Sequence, residues 1–140
     1  MKIAYVLTMA TLLAGCAAAP VPAPAPEPSS QVVADRTPEA AARAWLAQID
    51  RGEWEPAWTR MIPMFRSSVS MEQWRGGIVE GRTRYPVSGQ RTLVNTARGT
   101  DMFPDAVQLT FRNDRSVETV VLVPGGDGWL IGGYGMSAGG

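Results

Sequence analysis

The chain has no histidine and only one cysteine, and these two facts set the limits of its chemistry. Without an imidazole, neither a serine nor a thiol has its usual general base, and the commonest ligand of zinc and copper is missing. We therefore expect no metal centre and no cofactor. A formal G-x-S-x-G is present at Gly135-Met136-Ser137-Ala138-Gly139. A nucleophile elbow needs a helix after it and an acid and a histidine further along, so this reads as a chance match. Five tryptophans invite a stacking site for sugars or peptides. The helical spacing of Trp45, Trp54, Trp58 and Trp74 assigns them to a core first, since large aromatics dominate burial in a small domain. Arg91 and Glu118 are polar residues within strand-like segments, readable as a solvent-facing cross-strand pair or as a buried pair fixing a sheet.

The cysteine stands at the end of a signal-like segment. Met1-Lys2 is basic, Ile3 to Leu13 is apolar, and Leu13-Ala14-Gly15-Cys16 follows. The apolar run is well short of the roughly 20 residues that span a bilayer as a helix. The tetrad resembles a lipobox, in which small residues admit a peptidase to the bond before a diacylglyceryl-modified cysteine. An ordinary A-x-A cleavage site in Ala17-Ala18-Ala19 is the alternative, but the lone thiol falls where lipidation requires it. The expectation is a periplasm-facing protein held to a membrane by lipid on Cys16, with two or three acyl chains for stable anchoring. Ala17 rather than Asp favours the outer over the inner membrane.

The elements behind these residues follow in order. Residues 1–15 read as the signal peptide, and 16–36 as the lipidated cysteine and a Pro/Ala-rich tether. Extended at about 3.1 Å per residue, that tether reaches roughly 60 Å. Residues 37–136 are enough for one domain, and 137–140 read as a flexible tail. Twelve arginines and Lys2 against thirteen acids leave a near-neutral chain, which argues against nucleic acid as partner. Thr37-Pro38-Glu39 opens a helix that runs to about Asp50 and ends at Gly52, with Ala41, Trp45 and Ile49 on one face. A second helix is predicted from Glu53 to about Ile62, interrupted by Pro63. Ser70-Met71-Glu72-Gln73 is a capping box, with Val69 able to staple to Trp74; this helix should run to about Glu80 and stop at Gly81. From there the period becomes two. Gln90–Arg98, Val107–Arg112, Ser116–Val123 and Trp129–Tyr134 read as four strands of an antiparallel meander, with turns at Asn113-Asp114 and Gly125–Gly128. Helices first and hairpin-linked strands after make an α+β fold.

These residues resemble a family. Ala42-Arg43-Ala44-Trp45 leading to Asp50-Arg51-Gly52-Glu53-Trp54, then Phe65-Arg66, Val69 to Trp74, Arg91-Thr92, Glu118 to Val123, Gly128-Trp129 and Gly133-Tyr134 are similar to DUF4019. This is a bacterial domain of unknown function in the NTF2-like, cystatin-like group, and the similarity runs from about Glu39 to Met136. It implies a cone in which a curved sheet of about four strands wraps the first helix, and it implies no activity. NTF2-like folds also include enzymes with an Asp or Tyr in an apolar pocket, which makes Asp50, Tyr85 and Tyr134 the residues to examine for catalysis. The bland readings are an Asp solvating a helix end and tyrosines packed in a core. The Gly132-Gly133 pair and Gly135 should thin the last strand. The leading expectation is a non-catalytic envelope module that binds a protein or a small apolar ligand, ahead of a small lyase or isomerase. An open apolar cavity with a desolvated Asp at its floor would mark the enzyme, and a cone plugged by Trp and Met the module.

Overall fold

The computed structural model describes residues 36–140, so the signal segment, Cys16 and all of the tether but Arg36 lie outside the described residues. Helix α1 spans Pro38–Asp50. Thr37 Oγ1 accepts from the Ala40 N–H at 3.2 Å, and Pro38 takes the first position, where no N–H is missed. Its face of Ala41, Ala42, Trp45, Leu46 and Ile49 is buried, and α1 lies against β2 (Val107–Arg112), β3 (Ser116–Gly125) and β4 (Gly128–Ala138).

The next segment differs from the single helix expected over 53–62. It forms α2 (Trp54–Thr59), an extended link and α3 (Pro63–Ser68). The link is extended because it finds a strand to pair with. The Ile62 N–H donates to the Ile131 carbonyl at 2.9 Å, and the Ile131 N–H donates to the Arg60 carbonyl at 2.8 Å. Pro63 does not interrupt a helix here; it opens one, where its missing donor costs nothing.

Helix α4 spans Met71–Arg84 and has the expected capping box. The Gln73 N–H donates to Ser70 Oγ, and the Ser70 N–H donates to Gln73 Oε1, each at 3.2 Å. It does not stop at Gly81. A Cβ built there would sit 2.4 Å from Met136 Cε, so this glycine serves packing against β4 rather than termination. The helix ends at Tyr85, whose backbone (φ −124°, ψ 78°) leaves the helical region that the following Pro86 disfavours.

The strands form one antiparallel sheet in the order β1-β2-β3-β4, with β1 at Thr92–Arg98, so the α+β fold is as expected. Val107, Leu109, Phe111, Val120 and Leu122 face α1 and are buried. In β4 the inward positions are Ile131, opposite Leu122, and then Tyr134 and Met136, opposite Val120 and Glu118. That switch from odd to even is produced by a bulge at Gly132. β4 also runs past Tyr134 to Ala138, taking in Ser137 and Ala138 of the expected tail. The Gly139 N–H donates to the Arg115 carbonyl at 3.1 Å.

Of the four helical tryptophans assigned to the core, Trp45 and Trp74 are buried, whereas Trp54 and Trp58 are partly buried and pack against its side. Trp74 is 6% exposed, and its ring centroid lies 5.3 Å from that of Trp58, 6.1 Å from Trp54 and 6.4 Å from Trp45.

Candidate binding cleft

Two features meet under β4: a buried polar network and an apolar cleft. The network is built from five side chains on five separate segments. Glu118 of β3 is fully buried, and its carboxylate accepts from Arg91 just before β1, from Arg82 of α4 at 3.3 Å and from the Tyr134 hydroxyl at 2.5 Å. Asp50, at the end of α1, accepts from Arg82 Nη1 at 2.7 Å and from Arg91 Nη1 and Nη2 at 2.5 and 2.9 Å. The Arg91 carbonyl accepts in turn from Arg43, whose guanidinium stacks 5.0 Å over the Phe111 ring. Trp45 meets the Tyr134 ring edge-on at 5.2 Å.

Two carboxylates and two guanidiniums balance here. Burial pushes the Asp50 carboxyl up, but hydrogen bonds from Arg91 and Arg82 outweigh it and hold the group below its ordinary value. Burial first, then the neighbouring Glu118 charge, raises Tyr134 above the usual phenol range. Asp50 is thus an ion-pair partner rather than a desolvated base, and Tyr134 is a donor held protonated.

The cleft is separate from Asp50. It encloses about 490 Å³ between α3, α4 and β4, within the ~300–1,000 Å³ of small-ligand sites. Met61, Phe65, Trp74, Ile78 and Met136 wall it, and none of its lining residues carries a charge. Gly77 lines it, and a Cβ there would meet nothing within 4 Å. Tyr134 shows one side to the cleft while its hydroxyl serves the network, and Tyr85 lines the end where α4 stops. Asp50 lines a polar groove of about 490 Å³ with Arg82, Ser88 and Arg91.

Of the residues singled out from sequence, the structure joins Asp50 and Tyr134 through Glu118 and the arginines, and leaves Tyr85 apart on the cleft wall. The Arg91–Glu118 pair is the buried one of its two readings. Arg82 and the cleft glycines were missed. The only signals were a base in the last turn of a helix and the Gly76-Gly77 pair inside a capped helix. Ser137 of the chance G-x-S-x-G is exposed in β4. Among the described residues no cluster of acids or thiols could hold a metal ion.

These features define a small α+β domain whose helices pack on a four-stranded antiparallel sheet, with an apolar cleft beside a closed polar network. The chain belongs to DUF4019, a family of proteins of unknown function, whose match covers residues 41–134. No curated protein and no solved structure is significantly similar to it.

Proposed function

We propose that this protein is a non-catalytic binding module of the bacterial cell envelope, held to a membrane by lipid on Cys16 and facing the periplasm. The observation that carries the binding role is the uncharged cleft of about 490 Å³, with a glycine in the middle of a helix on its wall. A helical glycine costs about 1 kcal/mol relative to alanine. A Cβ at Gly81 would meet the flexible end of Met136, whereas one at Gly77, on the cleft wall, would project into open space, as it would at the neighbouring Gly76. Anchoring rests on the lipobox-like Leu13-Ala14-Gly15-Cys16 and on Ala17, which favours the outer membrane. The cleft is open, not plugged by Trp and Met as was expected of a binding module, but the lyase or isomerase reading needs in addition a desolvated Asp at its floor. Asp50 lies in the other groove, paired with two arginines.

The test uses a brominated decanol, which quenches indole fluorescence on contact with Trp74. Saturable quenching in the wild type, lost in Gly77→Leu at unchanged thermal stability, is the expected result. Unsaturable quenching of equal strength in both proteins would remove the cleft from consideration.

A further inference from the structure

The cleft has one wall that is not apolar. Gly133 and Gly135 line it, and a glycine has only main chain to present. That main chain belongs to the edge of the sheet. β4 is the last strand, and on the side away from β3 only Ile131 finds main-chain partners among the described residues, in Arg60 and Ile62. The chain itself thus begins a fifth strand, pairing in parallel at Met61 and Ile131, and abandons it when Pro63 turns into α3. From Gly132 to Ala138 the outer edge makes no main-chain hydrogen bond to any of the described residues.

A hydrocarbon in this cleft would leave the edge N–H and C=O groups without partners, whereas an extended peptide satisfies them and still buries alternate side chains. Resting on the binding-module reading above, we infer that the ligand is an extended, uncharged polypeptide segment that adds to β4 beyond Ile131. Its inward side chains enter between β4 and α4, onto Phe65, Trp74, Ile78 and Met136. The uncharged lining excludes charged residues at those inward positions. The two methionines, Met61 and Met136, can repack around side chains of different shape. The cleft follows α4 from Gln73 to Tyr85, roughly 18 Å at the helical rise, which is the length of about five or six extended residues.

The test reads hydrogen exchange across residues 132–138 in the full chain reconstituted in lipid nanodiscs. The probes are acetylated, amidated heptapeptides alternating valine, leucine or phenylalanine with serine or threonine. At least one should slow exchange of this segment about tenfold or more, as edge amides become bonded. The protection should disappear in Gly77→Leu, and with a peptide N-methylated at alternate residues. If no peptide protects the segment while the brominated decanol still binds saturably, the cleft is a hydrocarbon site; the binding module stands and strand addition falls. If neither probe binds, both readings fall. Equal protection by the N-methylated peptide overturns the inference. So does protection that grows with protein concentration in the absence of peptide, which would put a second copy of the chain on this edge.

Discussion

Glu118 is the residue on which the polar network depends, because it is fully buried while Asp50 keeps 38% of its side chain in solvent. Removing one partner of a buried ion pair costs about 3–5 kcal/mol, since the remaining charge is left desolvated. An exposed pair is worth about 0–1 kcal/mol. Glu118→Gln should therefore destabilise the domain several-fold more than Asp50→Asn, in urea unfolding at neutral pH. Arg82 Nε, already buried without a partner, makes the network less able to absorb the loss. Asp50 also couples stability to pH. The folded-state value of Asp50 is lowered, so its contribution is present above the unfolded carboxyl value of about 4 and is lost as pH falls through the folded one. Between pH 5 and 3, the stability of Asp50→Asn should fall less steeply with acid than that of the wild type.

At the scale of the element, α4 does two jobs that its substitutions can separate. Its N-terminus is a matter of stability. Ser70→Ala removes a cap worth about 1 kcal/mol and should lower the melting temperature slightly. Trp74→Ala removes a buried aromatic at about 3–5 kcal/mol and should lower it severely, because three other tryptophans pack around that ring. Its middle is a matter of space. Gly77→Ala should raise stability by about 1 kcal/mol in thermal unfolding, since the new methyl meets nothing. Gly81→Ala should give a smaller gain, because the flexible end of Met136 must move to admit it. Equal gains at both positions would mean that Gly81 is not in the packed contact described.

For the molecule as a whole, the expectation is a domain on a lipid-anchored tether. The chain joins the domain beside the β3–β4 hairpin, where Trp129 Nε1 donates to the Arg36 carbonyl at 3.3 Å. Lipid attachment touches none of the packing described, so Cys16→Ser should leave the unfolding transition of the domain unchanged while releasing the protein from the membrane fraction. Retention of that variant through alkaline washing without detergent would contradict anchoring at Cys16. Sucrose-gradient fractionation of the wild type distinguishes outer from inner membrane.

The order of the elements was legible in the sequence because it rests on local physics. A threonine cap before Pro38, the Ser70–Gln73 capping box, and the alternation of Val107, Leu109 and Phe111 each act over a few residues, so one short window contains the whole cause. The burial of Trp45 and Trp74 was legible for the same reason, while Trp54 and Trp58, on the short α2, are only partly covered. What the local pattern misjudged were places where a distant partner decides. Arg60–Ile62 is extended because it pairs with Ile131, α4 runs on through Gly81, whose bare face meets the end of Met136, and the bulge at Gly132 hides the alternation of β4. The candidate site is of this second kind throughout. Asp50, Arg82, Arg91, Glu118 and Tyr134 are spread over 85 positions of sequence and meet only when the end of α1, the last turn of α4 and the sheet converge. The cleft, likewise, is a space between elements, and no single segment of the chain encodes it.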